Sequence, residues 1–402
     1  MKPIIYSGWP KGMDNRRANH DVPLDTLRDG LNVDVLTSGK VRLRSGITQA
    51  VADTGAHSVF SDGTRLVWAT PTTLKTADGN FVKSTLLTDT RLAKPLSYVA
   101  LHGEIYFSNE DINGKINAAG EYEPWGIVGP TTAPVCSAVA GVRRYQVTCT
   151  FVTASGEESG APLGAEVLCS DIPSIQLTSI PQSSDSRVVA TRIYVTNIDG
   201  TDFYAQLDIP TGITAWTLTG FFANGARLRT QFMAPPPPGQ LLEYLNGVLY
   251  VASGSAIYHT DPLRYVLCAP EGFFMEPKRV TLLKAVDDGV YVSSDQTYFL
   301  AAPGTKDVVR KPVLPYRAVE GAAVSMTDDG NVMWLSERGF VLGGNGGEVK
   351  NLTEGQLAMP SYERGCLGIV ERDGHTAAVA VMQGEGTASP LVSEDYEEPE
   401  LL

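Results

Sequence analysis

Cysteine is scarce in this 402-residue chain, and its placement excludes more than its number does. Cys136, Cys149, Cys169, Cys268 and Cys366 are odd in count, widely spaced and never arranged as Cys-x-x-Cys. Neither a disulfide framework nor a cysteine zinc site is indicated, and most of the five read as reduced core residues. Histidine is as thin: His20, His57, His102, His259 and His375 include no His-x-x-x-His or His-Glu pair, so a metal site of that spacing is not expected. Positive charge is in deficit, with 45 Asp and Glu against 32 Lys and Arg and a net charge of −13. General attraction to nucleic acid phosphate is therefore not expected of the bulk surface. No run approaches the roughly 20 apolar residues of a membrane span, and Met1 to Pro10 lacks the pattern of a signal peptide. The expectation is a soluble protein made in the cytoplasm.

Catalytic signatures are missing too. There is no Gly-x-Ser-x-Gly elbow, and Gly343-Gly344-Asn345-Gly346-Gly347 lacks the lysine and helix that a phosphate-binding loop requires, so it reads as a tight turn. The sialidase-type repeat is approached only by Ser61-Asp62-Gly63-Thr64, whose spacing is wrong. Asp287-Asp288-Gly289 and Asp328-Asp329-Gly330 offer two carboxylates each where calcium takes six to eight oxygens, so hairpin turns explain them better. No catalytic residue, cofactor or metal ligand is expected, and the chain does not read as an enzyme.

What is present is a recurring turn. An apolar strand ends in Asp-Gly, Asn-Gly or His-Gly, and a second apolar strand, usually with an aromatic, follows. The glycines are Gly63, Gly103, Gly247, Gly289, Gly330 and Gly374. Their separations of 40, 42, 41 and 44 residues match the period of four-stranded propeller blades. One gap, Gly103 to Gly247, is 144 residues. Less one blade, that leaves roughly 100 residues, the size of a small inserted β-sandwich.

The fold class expected is all-β: a six-bladed β-propeller with an inserted immunoglobulin or fibronectin type III-like sandwich. Residues 1–30, with Pro3, Pro10 and Pro23 and little alternation, should be an extended amino-terminal arm. Blades occupy 31–129, the sandwich 130–234 and further blades 235–383, with an acidic tail at 384–402. The sandwich is read from longer period-two strands such as Tyr145 to Val152 and Ala190 to Val195. It ends at Pro235-Pro236-Pro237-Pro238, a stiff polyproline II segment that fixes geometry between domains. Leu31 to Gln49 should pair with Cys366 to Met382, closing the ring with one blade shared between the chain ends.

Charge is uneven along the chain. Arg16, Arg17 and Arg28, with Lys40, Arg42 and Arg44, make the amino-terminal end positive, while Glu394, Asp395, Glu397 and Glu398 lie in the acidic tail. These seven residues, Arg16, Arg17, Arg28, Glu394, Asp395, Glu397 and Glu398, are the candidate contacts between neighbouring copies.

Several segments carry a resemblance. Gly12-Met13-Asp14-Asn15-Arg16-Arg17, Leu27-Arg28-Asp29-Gly30-Leu31-Asn32-Val33-Asp34 and Gly39-Lys40-Val41-Arg42-Leu43-Arg44-Ser45-Gly46 resemble the opening of phage virion proteins. Pro237-Pro238-Gly239-Gln240-Leu241-Leu242, leading into Asn246-Gly247-Val248-Leu249-Tyr250-Val251-Ala252 and Ile257-Tyr258-His259-Thr260-Asp261-Pro262-Leu263, is similar as well. Together they resemble the propeller-built tail hub or nozzle proteins of short-tailed bacteriophages. The resemblance covers most of the chain as a texture of turns and strands, and implies a structural role. Six copies would form a homo-oligomeric ring below a head-to-tail adaptor, carry tail fibres or spikes, and pass genomic DNA without binding it specifically. It implies no catalytic residue and places the protein in the virion.

A second reading is a carbohydrate-binding or depolymerising propeller that recognises host surface glycans, with Trp68, Tyr106, Tyr250, Tyr291 and Trp334 as its aromatic platform. These residues fall on the same strand of each repeat, which favours a core role. A third, a peptide-binding scaffold, lacks the Gly-His and Trp-Asp marks of the commonest such repeat.

Overall fold

The computed structural model describes residues 8–383 apart from positions 37, 45, 47, 50, 171–173, 221–224, 306, 327–329, 358, 360–361 and 373–374. The described chain is all-β, a β-propeller-like fold of four-stranded antiparallel sheets with three short 3-10 turns among the described residues. Five sheets run in simple up-and-down order, within 57–88, 97–123, 241–275, 282–314 and 318–351. By contact density the described residues form two compact units, one from 1–71, 75–84 and 276–402, the other from 72–74 and 85–275.

In the second unit, the sheet of Ser97–Leu101, Glu104–Ser108, Asn113–Ile116 and Tyr122–Glu123 packs on the sheet that begins with Leu241–Leu245. Val99, Tyr106 and Trp125 meet Leu242, Leu249 and Val251 in one core. The Trp125 indole N–H donates to the Tyr265 carbonyl at 2.7 Å, and the Leu242 amide donates to Ser97 Oγ at 2.9 Å. Two sheets separated in sequence by more than a hundred residues are thus packing neighbours.

Between these two sheets in sequence, the described residues form seven strands in two sheets. Val135–Ala138, Ser174–Thr178 and Trp216–Thr219 make one, with Ser174–Thr178 central. Arg143–Thr153 and Val188–Thr196 are the inner strands of the other, flanked by Ala165–Cys169 and Phe203–Pro210. Alternation places Tyr145, Val147 and Cys149, then Ile193 and Val195, against Ile175, Leu177 and Leu218 in a shared core. Strand order differs from an immunoglobulin constant domain, where the second strand lies between the first and fifth; here it lies between the third and fifth. Period-two patterning fixes which face a side chain takes, not which strand lies alongside.

In the first unit the 282–314 and 318–351 sheets share a core of Leu282, Tyr291, Phe299, Val332, Trp334 and Val341. The glycine turns turn out to be three devices rather than one. His102-Gly103 and Asn246-Gly247 are two-residue turns with positive φ at both positions (51° and 80°, 48° and 85°). At Ser61 to Leu66 a four-residue loop is held by the Asp62 carboxylate, which accepts from the amides of Thr64 and Arg65. Gly289 is instead a strand residue paired with Val286, and a Cβ there would collide with the Phe299 ring. The Gly343 to Gly347 run joins two strands, as expected of a turn.

Two terminal expectations are corrected. Residues 8–30 are not an extended arm: Met13 bridges Leu27, the Asp14 amide donates to the Leu27 carbonyl at 2.8 Å, and Lys11 pairs with Asp25 at 2.7 Å, so the segment folds back on itself. The closing pairing between 31–49 and 366–382 is not among the described strand pairs. Val33–Val35 pairs with Val41–Leu43 alone, while Arg364–Arg372 and His375–Gln383 form a hairpin on the edge of the 318–351 sheet. The physical reason is the parallel bridge from Glu320 to Arg364, reinforced by the Arg364–Glu320 ion pair at 3.4 Å, which commits the hairpin to that edge.

Candidate functional site

The most heavily built polar feature of the second unit is the neck where the sandwich leaves the 97–123 sheet. Lys115, on the third strand of that sheet, is buried and its ammonium lies 3.2 Å from Glu104, 3.5 Å from Glu123 and 3.4 Å from Glu157. Arg187, just before the fifth strand of the sandwich, lies 3.5 Å from Glu123, 3.8 Å from Glu157 and 2.7 Å from Asp185. Glu123 from the host sheet and Glu157 from the sandwich therefore each serve both cations. Burial favours the neutral form of Lys115, but Glu157, Glu104 and Glu123 outweigh it and raise its pKa above the ordinary lysine value. Burial likewise opposes the charge on Glu123, and Asn117, Lys115 and Arg187 overcome it, holding the carboxyl below its ordinary range.

Glu157 and Glu158 do opposite work. Glu157 reaches outward to the host, while Glu158 accepts from Thr150 Oγ1 and from the Tyr194 hydroxyl, each at 2.6 Å, inside the sandwich. Arg192 pairs with Glu158 at 3.5 Å and with Asp208 at 2.6 Å. The acidic turn thus fastens one domain and joins it to the next.

Apolar and backbone contacts complete the neck. Ile127 packs with Phe151 and Val188, and Arg187 donates to the Gly126 carbonyl at 2.9 Å. A Cβ on Gly129 would strike the Gly160 carbonyl, and one on Gly160 would strike that of Met233, so the incoming chain, the acidic turn and the outgoing chain touch backbone to backbone. The proline run is pinned, with Asn113 donating to the Pro236 carbonyl at 2.7 Å and Gly239 to Ser108 Oγ at 2.8 Å. Buried ions in contact are held in register because any separation leaves a desolvated charge without a partner. The arrangement can hold a domain at a set orientation.

The sequence-predicted contact residues fare differently. Arg17 pairs with the buried Asp14 at 3.1 Å, and Arg28 donates to the Arg17 carbonyl at 2.7 Å, so these two stabilise the fold-back of the amino-terminal segment. Arg16 is exposed beside them, its amide donating to Asp14. Glu394, Asp395, Glu397 and Glu398 lie outside the described residues, as do Asp328 and Asp329. Asp287 and Asp288 hold the glycine turn, Asp288 accepting from the Gly346 amide at 2.8 Å. Trp68, Tyr106, Tyr250, Tyr291 and Trp334 are all at most 3% exposed. They form core, and no surface ligand can reach them. Among the described residues no group of three or more His, Cys, Asp or Glu is placed to hold a metal ion, and no helix is long and apolar enough to cross a membrane.

The fold defines a class, an all-β, β-propeller-like chain. No protein-family model matches the sequence, and no curated protein matches it. Solved structures of similar shape include catalytically inactive virginiamycin B lyase from Staphylococcus aureus with quinupristin, at 11% identity and a TM-score of 0.34 over 84% of this chain and 94% of that one. Others are BBS1N in complex with ARL6DN, at 12% and 0.31 over 82% and 88%, and the N-terminal domain of Nup159, at 8% and 0.30 over 81% and 72%. At such identities and scores these likenesses carry no argument about activity or partners.

Proposed function

We propose that this chain is a structural virion protein that forms a ring in the distal tail, the hub or nozzle, of a short-tailed phage. In this reading copies of the chain, six to a ring, continue the channel through which DNA leaves. The ring seats on the head-to-tail adaptor and carries fibres or spikes. The observation that carries the reading is the neck: a sandwich fixed to its host by ions shared across the joint, closely touching glycines and pinned prolines is built to bear load. A net charge of −13 supports it, since an acidic conduit repels phosphate and lets DNA pass without adhering. The sequence resemblance supplies the assembly.

The test is assembly. Light scattering with size exclusion, and negative-stain microscopy with the adaptor, should give rings of six copies, and gold labelling of the parent particle should mark the distal tail. A protein that stays monomeric with every tail component would overturn the reading. The glycan-binding alternative has lost its aromatic platform to the core, and a glycan array should return no binding.

A further inference from the structure

Two fragments, near the two ends of the chain, each amount to half of the repeating unit. The complete sheets of the host have four strands, but Val33–Val35 and Val41–Leu43 stand as a pair, and the Arg364–Arg372 and His375–Gln383 hairpin joins its sheet by one bridge only. A two-stranded sheet by itself is marginal in water. The register places Cys366 opposite Val381, Gly368 opposite Val379 and Val370 opposite Ala377, all on one face of the hairpin. The middle of that face is uncharged and solvated, with Val370, Val379 and Val381 46%, 41% and 63% exposed and Cys366 exposed, while the same register places Arg364 and Arg372 at its two ends. The other face sets Ala380 and Met382 against Val319, Ala322 and Leu335. Among the described residues the outer edge of His375–Gln383 has no strand partner, and Thr376 to Met382 contains none of the lysines or prolines that normally blunt such an edge. The amino-terminal pair matches it, with Val33 opposite Leu43 and Val35 opposite Val41 on one face and Leu43 77% exposed.

We infer that the carboxy-terminal hairpin of one copy pairs edge to edge with the amino-terminal hairpin of a second copy, completing a four-stranded sheet across the contact between copies. The inference rests on the assembly reading above and names the contact that builds it. Charge agrees with the pairing: the sequence after Gln383 carries Glu385, Glu394, Asp395, Glu397, Glu398 and Glu400 and no Lys or Arg, while the amino-terminal pair carries Lys40 and Arg42 beside an Arg44 that Asp34 already neutralises at 3.0 Å. A second copy is favoured over the same chain because both fragments fold in one compact unit without pairing there. Exchange of an identical element between protomers is a low-cost route to assembly.

The test uses full-length protein in two forms of different mass, both with Cys366→Ser, one with Val35→Cys and the other with Val381→Cys. On mixing and mild oxidation a disulfide should join the two forms, and a single form carrying both cysteines should give a ladder of multimers. A disulfide closed within one chain, or none in assembled protein, overturns the inference. Val381→Lys in the native background should weaken association at least about tenfold by sedimentation, with an unchanged unfolding midpoint. If rings persist undiminished in Val381→Lys, the contact lies elsewhere and the assembly reading stands; if native protein is monomeric at every concentration, both fall.

Discussion

The neck and the terminal hairpins solve opposite problems with opposite materials. At the neck the ions are shared across the joint: Lys115 and Arg187 have carboxylates on both sides of it, the glycines let three backbones touch, and the proline run is held by hydrogen bonds. At the hairpin an apolar face and a strand edge stand open. Charges in contact specify one geometry because misplacement leaves them unpaired. An open edge specifies only that something must cover it. The first is a joint finished within the chain, and the second is an edge that the described residues leave open.

The sharpest way to break this contrast is Lys115→Met, which leaves Glu104, Glu123 and Glu157 around a neutral side chain. Removing one partner of a buried ion cluster costs about 3–5 kcal/mol, so the urea midpoint should fall steeply, whereas Val379→Lys on the hairpin should move it by less than about 0.5 kcal/mol. Glu157→Gln added to Lys115→Met should recover part of the loss. Next in size, Gly160→Ala drives a methyl into the Met233 carbonyl and should destabilise by about 1–3 kcal/mol through overpacking, again read by urea unfolding.

A smaller effect separates two carboxyls by the sign of their response to pH. Burial works against the charge on Asp62, but the Arg65 and Thr64 amides, the Thr64 hydroxyl and the Arg65 guanidinium prevail and hold its pKa well below the ordinary 3.8. Its contribution is therefore full above about pH 4 and is lost as pH falls toward the depressed value. At Glu276, burial prevails over Ser294 and Arg310 and raises the pKa above 4.5. Its protonated form is favoured in the fold, so that contribution is full below about pH 4.5 and is lost as pH rises through the raised value. Unfolding midpoints against pH should flatten on the acid side in Asp62→Asn and on the opposite side in Glu276→Gln. The smallest perturbation is a thiol label. Cys366 is exposed, while burial pushes Cys149 and Cys268 up to about 12, so mass spectrometry after brief alkylation should find Cys366 modified and those two untouched.

Much of this was legible in the residues. Glycine spacing located the repeats because a tight turn between strands demands a residue tolerant of positive φ, as at Gly103 and Gly247. The alternation of Tyr145, Val147 and Cys149 gave the inward face of their sheet. Gly289 shows the limit: it is required by the nearness of Phe299, a tertiary fact, and sequence alone reads it as one more turn. The neck ions stayed hidden for the same reason. Lys115 and Glu157 are 42 residues apart, and Glu157-Glu158 reads as a polar turn until the partners on either side are known. The strand partners of the two ends went wrong because an apolar hairpin records which face is dry but not which edge it joins.

The contact of Gly129 with Gly160, and of Gly160 with Met233, has one more consequence. A segment whose two ends meet behaves as a cassette: it can be excised and bridged by a few residues, or exchanged for another of similar girth, while the sheets that share Tyr106 and Leu249 stay joined.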